Sequence, residues 1–148
     1  KLVGIAFSYE KGKGYYVPIP ENEEEANLVL ERFNPFFKDE RIEKVGQNLK
    51  YDIKVLKNYS VDVKGPLFDT MIAHYLINPD MRHNMDVLSE TYLRYSPIPI
   101  VNLIGKKGKN QGSMRDVELD LVTEYAVEDA DVTWQLKKYL SRSSKKTN

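Results

Sequence analysis

The sequence contains no cysteine, which excludes disulfide bonds, thiolate nucleophiles and cysteine-based zinc sites from this 148-residue chain. It also lacks any apolar run near the ~20 residues that a membrane-spanning helix needs. No signal-peptide pattern opens at Lys1. These absences are compatible with a reducing compartment, and we expect a cytoplasmic protein without a membrane partner.

An excess of charge of one sign is missing as well, because 22 Lys and Arg residues balance 22 Asp and Glu residues. Nothing in this balance indicates a duplex-binding protein that works through counterion release, so any nucleic-acid role must use a local site. The stretch 105–112 is locally basic through Lys106, Lys107 and Lys109 and could reach a phosphate backbone. A solvated loop is the simpler interpretation of that stretch.

The length suits one domain, and the periodic patterns of apolar residues predict an α/β domain with a mixed sheet. Residues 141–148 are interpreted as a linker into a further domain. Strands are predicted at 2–9, 15–19 and 42–46, with a possible strand at 61–63, and the first two form a hairpin. Helices are predicted at 23–37, from residue 49 onward, and at 68–77, 85–93 and 119–140.

Two aspartates, Asp52 and Asp129, lie on helical stripes that are otherwise apolar. An ionised carboxylate facing a core costs several kcal/mol unless a cation accompanies it. The two stripes therefore predict a shared metal site. Their other members are Leu49, Ile53 and Leu56 around Asp52, and Leu121, Tyr125, Val132 and Leu136 around Asp129.

Clustered carboxylates without histidine or cysteine favour Mg²⁺ or Mn²⁺, since these cations prefer oxygen ligands. A pair of such ions can activate a water and stabilise the leaving oxygen of a phosphodiester. Tyr125, one helical turn before Asp129, could orient that water, although plain core packing is its alternative role. His74 and His83 lack zinc-site spacing and are expected to be structural or surface residues. Glu128 and Asp131 are expected to face solvent.

Five segments of the chain, in order and spacing, resemble the 3′-to-5′ proofreading exonuclease domain of bacterial DNA polymerase I. The resemblance runs over nearly the whole chain, and it is more specific for the segments together than for each singly. The segments are Val45-Gly46-Gln47-Asn48-Leu49-Lys50-Tyr51-Asp52, Phe68-Asp69-Thr70-Met71, Arg82-His83-Asn84-Met85-Asp86, Gly108-Lys109-Asn110-Gln111 and Tyr125-Ala126-Val127-Glu128-Asp129-Ala130-Asp131-Val132-Thr133.

The resemblance implies a ribonuclease-H-like fold, two divalent cations (Mg²⁺ or Mn²⁺), single-stranded DNA 3′ ends as substrate and a covalently linked polymerase domain after residue 148. It makes Asp52 and Asp129 metal ligands and Tyr125 the tyrosine that positions the attacking water, as in the tyrosine subclass of these nucleases. The substrate-binding positions that it implies are Gln47, Asn48, Tyr51 and Arg82.

One motif of that family is not found where it is expected. Its first motif, an Asp-x-Glu on the central strand, should precede the strand at 2–9, whereas Asp116-Val117-Glu118 lies in the wrong structural context. We therefore expect residues 1–140 to form an exonuclease domain without its first, central strand and without two of its four carboxylates. Such a domain should be inactive by itself. A catalytically inactive strand-binding relic and an RNA-processing exonuclease of the same superfamily remain alternatives.

Overall fold

The fold begins with an antiparallel hairpin, seen in a computed structural model that describes residues 2–147 and the side chains of residues 2–142. Strands β1 (Gly4–Glu10) and β2 (Lys13–Pro18) pair with Ile5 opposite Val17. Gly12 supplies the positive φ of 79° that the tight turn requires. The predicted hairpin is confirmed.

The helix predicted at 23–37 is instead two helices, α1 (Glu23–Glu31) and α2 (Asn34–Phe37). The side chain of Asn22 caps α1 by accepting a hydrogen bond from the backbone N–H of Glu25. Pro35 has no N–H to continue the helical hydrogen bonds, and it lies in the first turn of α2, where none is needed. The proline therefore sets the break.

A strand, a helix and a second strand follow as β3 (Lys44–Gly46), α3 (Leu49–Lys57) and β4 (Leu67–Asp69). The two strands are parallel, with Val45 opposite Phe68. The possible strand at 61–63 was wrong, because Val61 is buried in the core and its N–H closes the end of α3 on the carbonyl of Leu56. The strand forms instead at the start of the segment predicted as a helix.

After β4, the regular structure of the described chain consists of helices, joined by loops. The predicted helix at 85–93 is present as α5 and the π-helical turn that extends it, Ser89–Leu93. The last helix continues past its predicted end at Leu140, so residues 141–147 of the expected linker are helical, and Asn148 lies outside the described residues. These helices are α4 (Thr70–Ile77), α5 (Met85–Leu88), α6 (Val101–Ile104) and α7 (Leu119–Thr147).

No helix in the described part of the chain combines the length and the apolar character needed to cross a membrane.

Two apolar clusters form the core. One joins the hairpin to α1, α2 and α3 through buried side chains that include Leu30, Phe37 and Leu56. The other packs α7 against α4 and α5 through Leu88 and Leu136. Helix α7 also contacts β1, β2 and β3, so it joins the hairpin to the parallel pair.

Both kinds of strand pairing that a mixed sheet needs are present, in two separate pairs. Among residues 2–147, no ladder of hydrogen bonds joins β1–β2 to β3–β4. A cavity of about 1310 Å³ lies beside them, and β1, β3, α3 and α7 contribute to its walls. This cavity is the concave feature that the candidate site occupies.

Candidate functional site

Helix α3 places Asp52 in its first turn, on the wall of the cavity. The chain enters α3 through Asn48, which has the left-handed conformation φ 62° and ψ 54°. Asparagine tolerates this conformation better than most residues. The turn separates β3 from α3 and fixes where the helix begins.

The carboxylate of Asp69, at the end of β4, holds two helix starts at once. One oxygen, Oδ1, accepts hydrogen bonds from the backbone N–H groups of Asn48 at 3.0 Å, Met71 at 2.9 Å and Ile72 at 3.4 Å. The other oxygen, Oδ2, accepts from the N–H of Leu49 at 2.8 Å. These N–H groups have no partners inside their own helices, so Asp69 satisfies the starts of both α3 and α4.

Helix α7 places Asp129 and Tyr125 on the wall of the same cavity. Val132 and Leu136 are buried, as the apolar stripe predicts. Leu121, the first member of the stripe, is 48% exposed because it lies in the first turn of the helix, outside both core clusters. The tertiary structure therefore brings Asp52 and Asp129 to one cavity from helices far apart in sequence.

The electrostatics of the two carboxylates agree with this placement. Each is reached by solvent through the cavity, yet each is surrounded by enough protein to disfavour its charge. Desolvation first, and then the charges of Asp69 and Asp129, raise the pKa of Asp52 to about 6. Desolvation, followed by the charges of Asp86 and Glu128, raises the pKa of Asp129 to about 6. Perturbed carboxylates in a cleft are typical of functional sites.

Tyr125 is half-buried beside Asp129. Desolvation and the charges of Asp129, Asp86 and Glu128 raise the pKa of its phenol above the usual value of 10. The phenol therefore stays protonated near neutral pH and can donate a hydrogen bond. It cannot serve as a general base there.

Asp86 is a member of this site that sequence reasoning did not assign. It lies in the first turn of α5 and acts electrostatically on both Tyr125 and Asp129. In the sequence, Asp86 stands out only as the last residue of the segment 82–86, which resembles a segment of the exonuclease family. An acidic residue in a first helical turn is common for reasons of capping alone, so no local signal set it apart.

The four residues expected to bind substrate have different surroundings. The side chain of Gln47 is engaged inside the protein, where its Nε2 donates to the carbonyl of His83 at 2.5 Å and its Oε1 accepts from the hydroxyl of Thr70. Asn48, Tyr51 and Arg82 have exposed side chains, and Tyr51 lines the cavity at 65% exposure. Through Gln47, the segment that carries Arg82 is attached next to the start of α3.

His74 has a structural role, as expected. It is fully buried on α4, with its Nδ1 2.6 Å from the Nδ1 of His83 and its Nε2 2.9 Å from the hydroxyl of Tyr92. Desolvation, followed by the neighbouring His83, lowers the pKa of His74. The contact between the two histidines attaches the loop between α4 and α5 to α4, and Tyr92 joins α4 to the π-helical turn.

The expectation that Glu128 and Asp131 face solvent was wrong, because both are half-buried and hold distant backbone segments. Glu128 accepts hydrogen bonds from the hydroxyl of Tyr95 and from the N–H of Ile98, the latter at 2.7 Å. Asp131 accepts from the N–H of Gly12 at 2.9 Å and so attaches the hairpin turn to α7. Acidic residues that follow one another on a helix look alike in sequence, whatever each one contacts.

The comparison with known protein families agrees with this geometry. The model of a DNA polymerase A family, described as 3′-5′ exonuclease, matches residues 1–145. The chain belongs to the DNA polymerase I 3′-5′ exonuclease family.

The relatives of this exonuclease family are much longer than the chain. DNA polymerase I of Borreliella burgdorferi is 37% identical over 139 residues, which are 92% of this chain and 15% of that protein. DNA polymerase I of Pseudomonas aeruginosa is 35% identical over 150 residues, or 95% of this chain and 16% of that protein. The chain thus spans about one sixth of the length of these relatives.

A solved structure supports the fold. Brucella melitensis NrnC superposes with a TM-score of 0.70 at 22% identity, over 92% of this chain and 61% of that chain. The predicted ribonuclease-H-like α/β fold is confirmed.

The donor set of the cavity fits a divalent cation of the kind that this exonuclease family implies. Asp52 and Asp129 offer hard oxygen ligands, and their raised pKa values show that the protein around them does not compensate their charge. Mg²⁺ is often held by only one or two carboxylates together with waters and substrate phosphates. Among the described residues, no group of three or more His, Cys, Asp or Glu side chains is assembled to hold a metal ion.

Proposed function

We propose that the chain is the editing module of a DNA polymerase I and hydrolyses the terminal phosphodiester of single-stranded DNA 3′ ends with the help of divalent cations. One observation carries the proposal: Asp52 on α3 and Asp129 on α7 line one cavity, both with a pKa raised to about 6. Membership of the polymerase I exonuclease family supports it. In this proposal the module acts in the cytoplasm during DNA replication and repair, linked to a polymerase domain that follows it.

The residues of the cavity would divide the work between them. Asp52 and Asp129 would hold Mg²⁺ or Mn²⁺, which supplies neutralisation of phosphate charge and activation of a water. Tyr125 would donate a hydrogen bond from its protonated phenol and so hold the attacking water in line with the phosphorus. Without a cation, the negative charges of the two carboxylates would repel a phosphate in the cavity. Cleavage would therefore depend on the cation.

The exposed residues around α3 would receive the 3′ end. Tyr51 offers an aromatic face on which a terminal base can stack, and stacking of this kind accepts any base. Asn48 and Arg82 would contact the sugar and the phosphate. Gln47, through its two internal hydrogen bonds, would position the segment of Arg82 as well as line the strand.

The test follows release of nucleotides from a labelled single-stranded DNA 3′ end in Mn²⁺, for the chain and for the parent polymerase that contains it. We expect Asp52→Ala and Asp129→Ala to abolish release, whereas Asp62→Ala, a change at an exposed aspartate, leaves it intact. In our proposal an upstream Asp-x-Glu completes the site, so release is expected from the parent and little or none from the chain alone. Nucleotide release by the parent polymerase that persists after Asp129→Ala would contradict the proposal.

A second candidate is a strand-binding domain without catalysis. It is favoured by one observation, that among the described residues no group of three or more His, Cys, Asp or Glu side chains is assembled to hold a metal ion. Calorimetry discriminates the two candidates, since a nuclease module should bind Mn²⁺ in a manner that depends on Asp129 and a relic should not. Comparison of DNA with RNA 3′ ends then separates an editing nuclease from an RNA-processing one.

A further inference from the structure

The basic loop, residues 105–112, lies between two attachments of the chain, one to α7 and one to the ends of the hairpin. On its N-terminal side, Glu128 holds the backbone of Ile98 and the hydroxyl of Tyr95. Glu128 is adjacent in sequence to Asp129, which lines the cavity. The chain is therefore attached to α7, the helix that carries Asp129, at a point shortly before the basic loop begins.

The C-terminal side of the basic loop returns to the same cavity. Met114 lines it, and the neighbouring Arg115 donates from its guanidinium to the carbonyls of Leu2 at 2.8 Å and Ile19 at 3.1 Å. Arg115 thereby pins the returning chain to the ends of the hairpin. The two attachments are therefore to α7 and to the hairpin, and both of these elements contribute to the cavity walls.

Between these anchors the loop projects into solvent. The N–H of Gly112 donates to the carbonyl of Ile104 at 2.8 Å and closes the base of the loop at the end of α6. Gly105 has φ 83° and Gly108 has φ 149°, so the turns use conformations that side chains disfavour. Every residue from 105 to 112 is exposed.

The charge of the basic loop is one-sided in a chain whose total charge is zero. Lys106, Lys107 and Lys109 are exposed, and residues 105–112 include no Asp or Glu. The cavity is more acidic than basic, because five carboxylates and two lysines line it. They are Asp52, Asp129, Glu21, Glu23, Glu43, Lys44 and Lys137. A polyanion that ends in the cavity needs cationic partners outside it, and this loop carries three lysines in the segment that leads to Met114 on the cavity wall.

We propose that the basic loop binds the phosphate backbone of single-stranded DNA whose 3′ end occupies the cavity. The inference rests on the proposed function for the identity of the polyanion, and it assigns a binding surface beyond the carboxylate site. Lysine ammonium groups act as point charges on phosphates, so the contact would be independent of base sequence and sensitive to salt. Flexible lysines on a glycine-containing loop suit a strand that moves by one nucleotide after each cleavage.

The test measures binding of a fluorescent oligothymidylate to the full chain by anisotropy, in EDTA, over a range of salt concentrations. The variant is Lys106→Gln with Lys107→Gln and Lys109→Gln. Each phosphate contact on a single strand contributes about 0.7 to the slope of log K against log salt, so loss of three contacts should lower the slope by about 2. Between about 50 and 200 mM salt, the unmodified chain should then lose roughly 16-fold more affinity than the variant.

A matched control changes three other exposed lysines, Lys38→Gln with Lys57→Gln and Lys64→Gln, which alter the net charge equally and lie outside the basic loop. The control should keep the slope of the unmodified chain. An equal loss in both variants, an unchanged slope in the loop variant, or no binding by the unmodified chain would each overturn the proposal. Nucleotide release that depends on Asp129 is measured separately, so the nuclease function can hold while the loop proposal fails, and the reverse.

Discussion

Asp69 Oδ2 accepts a hydrogen bond from the backbone N–H of Leu49 at 2.8 Å, across twenty residues of sequence. The contact ties the end of β4 to the first turn of α3, the turn that carries Asp52. The position of a candidate metal ligand is therefore set by a residue that does not itself line the cavity. Asp69 also contributes to the raised pKa of Asp52.

Removal of that carboxylate should weaken two helix starts together. We expect Asp69→Ala to lower the free energy of unfolding by about 2 kcal/mol, because each lost cap costs about 1 kcal/mol. Asp69→Asn should cost less, since its amide oxygen can still accept the hydrogen bonds at the start of α4. Urea unfolding of both variants, with Asp62→Ala as an exposed control, checks the order. A loss for Asp69→Ala no larger than that of the control would contradict it.

Replacement of Asp129 by asparagine should stabilise the cation-free protein. The carboxylate is disfavoured in the folded state, and one pKa unit corresponds to about 1.4 kcal/mol. Because Asp129 is more than one third exposed, solvent screening reduces the effect, and we expect a gain of about 1 kcal/mol at pH 7. Thermal melts in EDTA provide the measurement, and a lower melting temperature for Asp129→Asn would refute the prediction.

The pH dependence of that gain has a definite sign. The pKa of Asp129 is raised on folding from 3.8 to about 6, so its contribution to stability is fully present below pH ~4 and is lost as pH rises to ~6. The advantage of Asp129→Asn should therefore vanish near pH 4 and reach its full size above pH 6. Melts at several pH values test this, with Asp116→Asn, another exposed aspartate, as the control. A gain that does not vary with pH would show that the disfavoured charge of Asp129, caused first by desolvation and then by Asp86 and Glu128, is not its source.

The contribution of His74 to stability should change with pH in the direction opposite to that of Asp129. Its pKa is lowered on folding, so its contribution to stability is present above the unfolded value of ~6.5 and is lost as pH falls below it. His74→Leu should cost about 2 kcal/mol at pH 7.5, because it leaves Tyr92 and His83 without their buried partner. The deficit should shrink toward pH 5. Leu76→Ala, an exposed change on the same helix, is the control in urea unfolding at both pH values.

Glu128 should govern how firmly the basic loop is attached. Glu128→Ala removes the acceptor for Tyr95 and Ile98, so the segment that leads into the loop should open more often. We expect trypsin to cut at Lys106, Lys107 or Lys109 several-fold faster in this variant, as followed by mass spectrometry. Glu124→Ala changes an exposed glutamate one helical turn earlier and should leave the rate unchanged. Equal rates in the two variants would show that Glu128 does not hold the segment.

Much of the fold could be predicted from local patterns. The hairpin, the helix with Asp52, the helix at 85–93 and the last helix each have a periodicity or a turn signal within a few residues. The break at Pro35 also has a cause in the sequence, the proline itself. The apolar period continues across it and so predicts a single helix. The strand at Leu67–Asp69 was missed because three residues are too few for a period, and because Asp69 and Thr70 begin a helix directly afterwards.

The sequence by itself determined that two carboxylates, Asp52 and Asp129, would lie on helical stripes without local compensation, because the helical period is a property of neighbouring residues. Only the tertiary structure decided which groups surround them. Asp69 at the start of α3, Asp86 beside Asp129, and Glu128 on the loop segment depend on hydrogen bonds and charges between residues distant in sequence. No local pattern encodes such contacts, because they exist only once packing of α7 against both strand pairs brings the elements together.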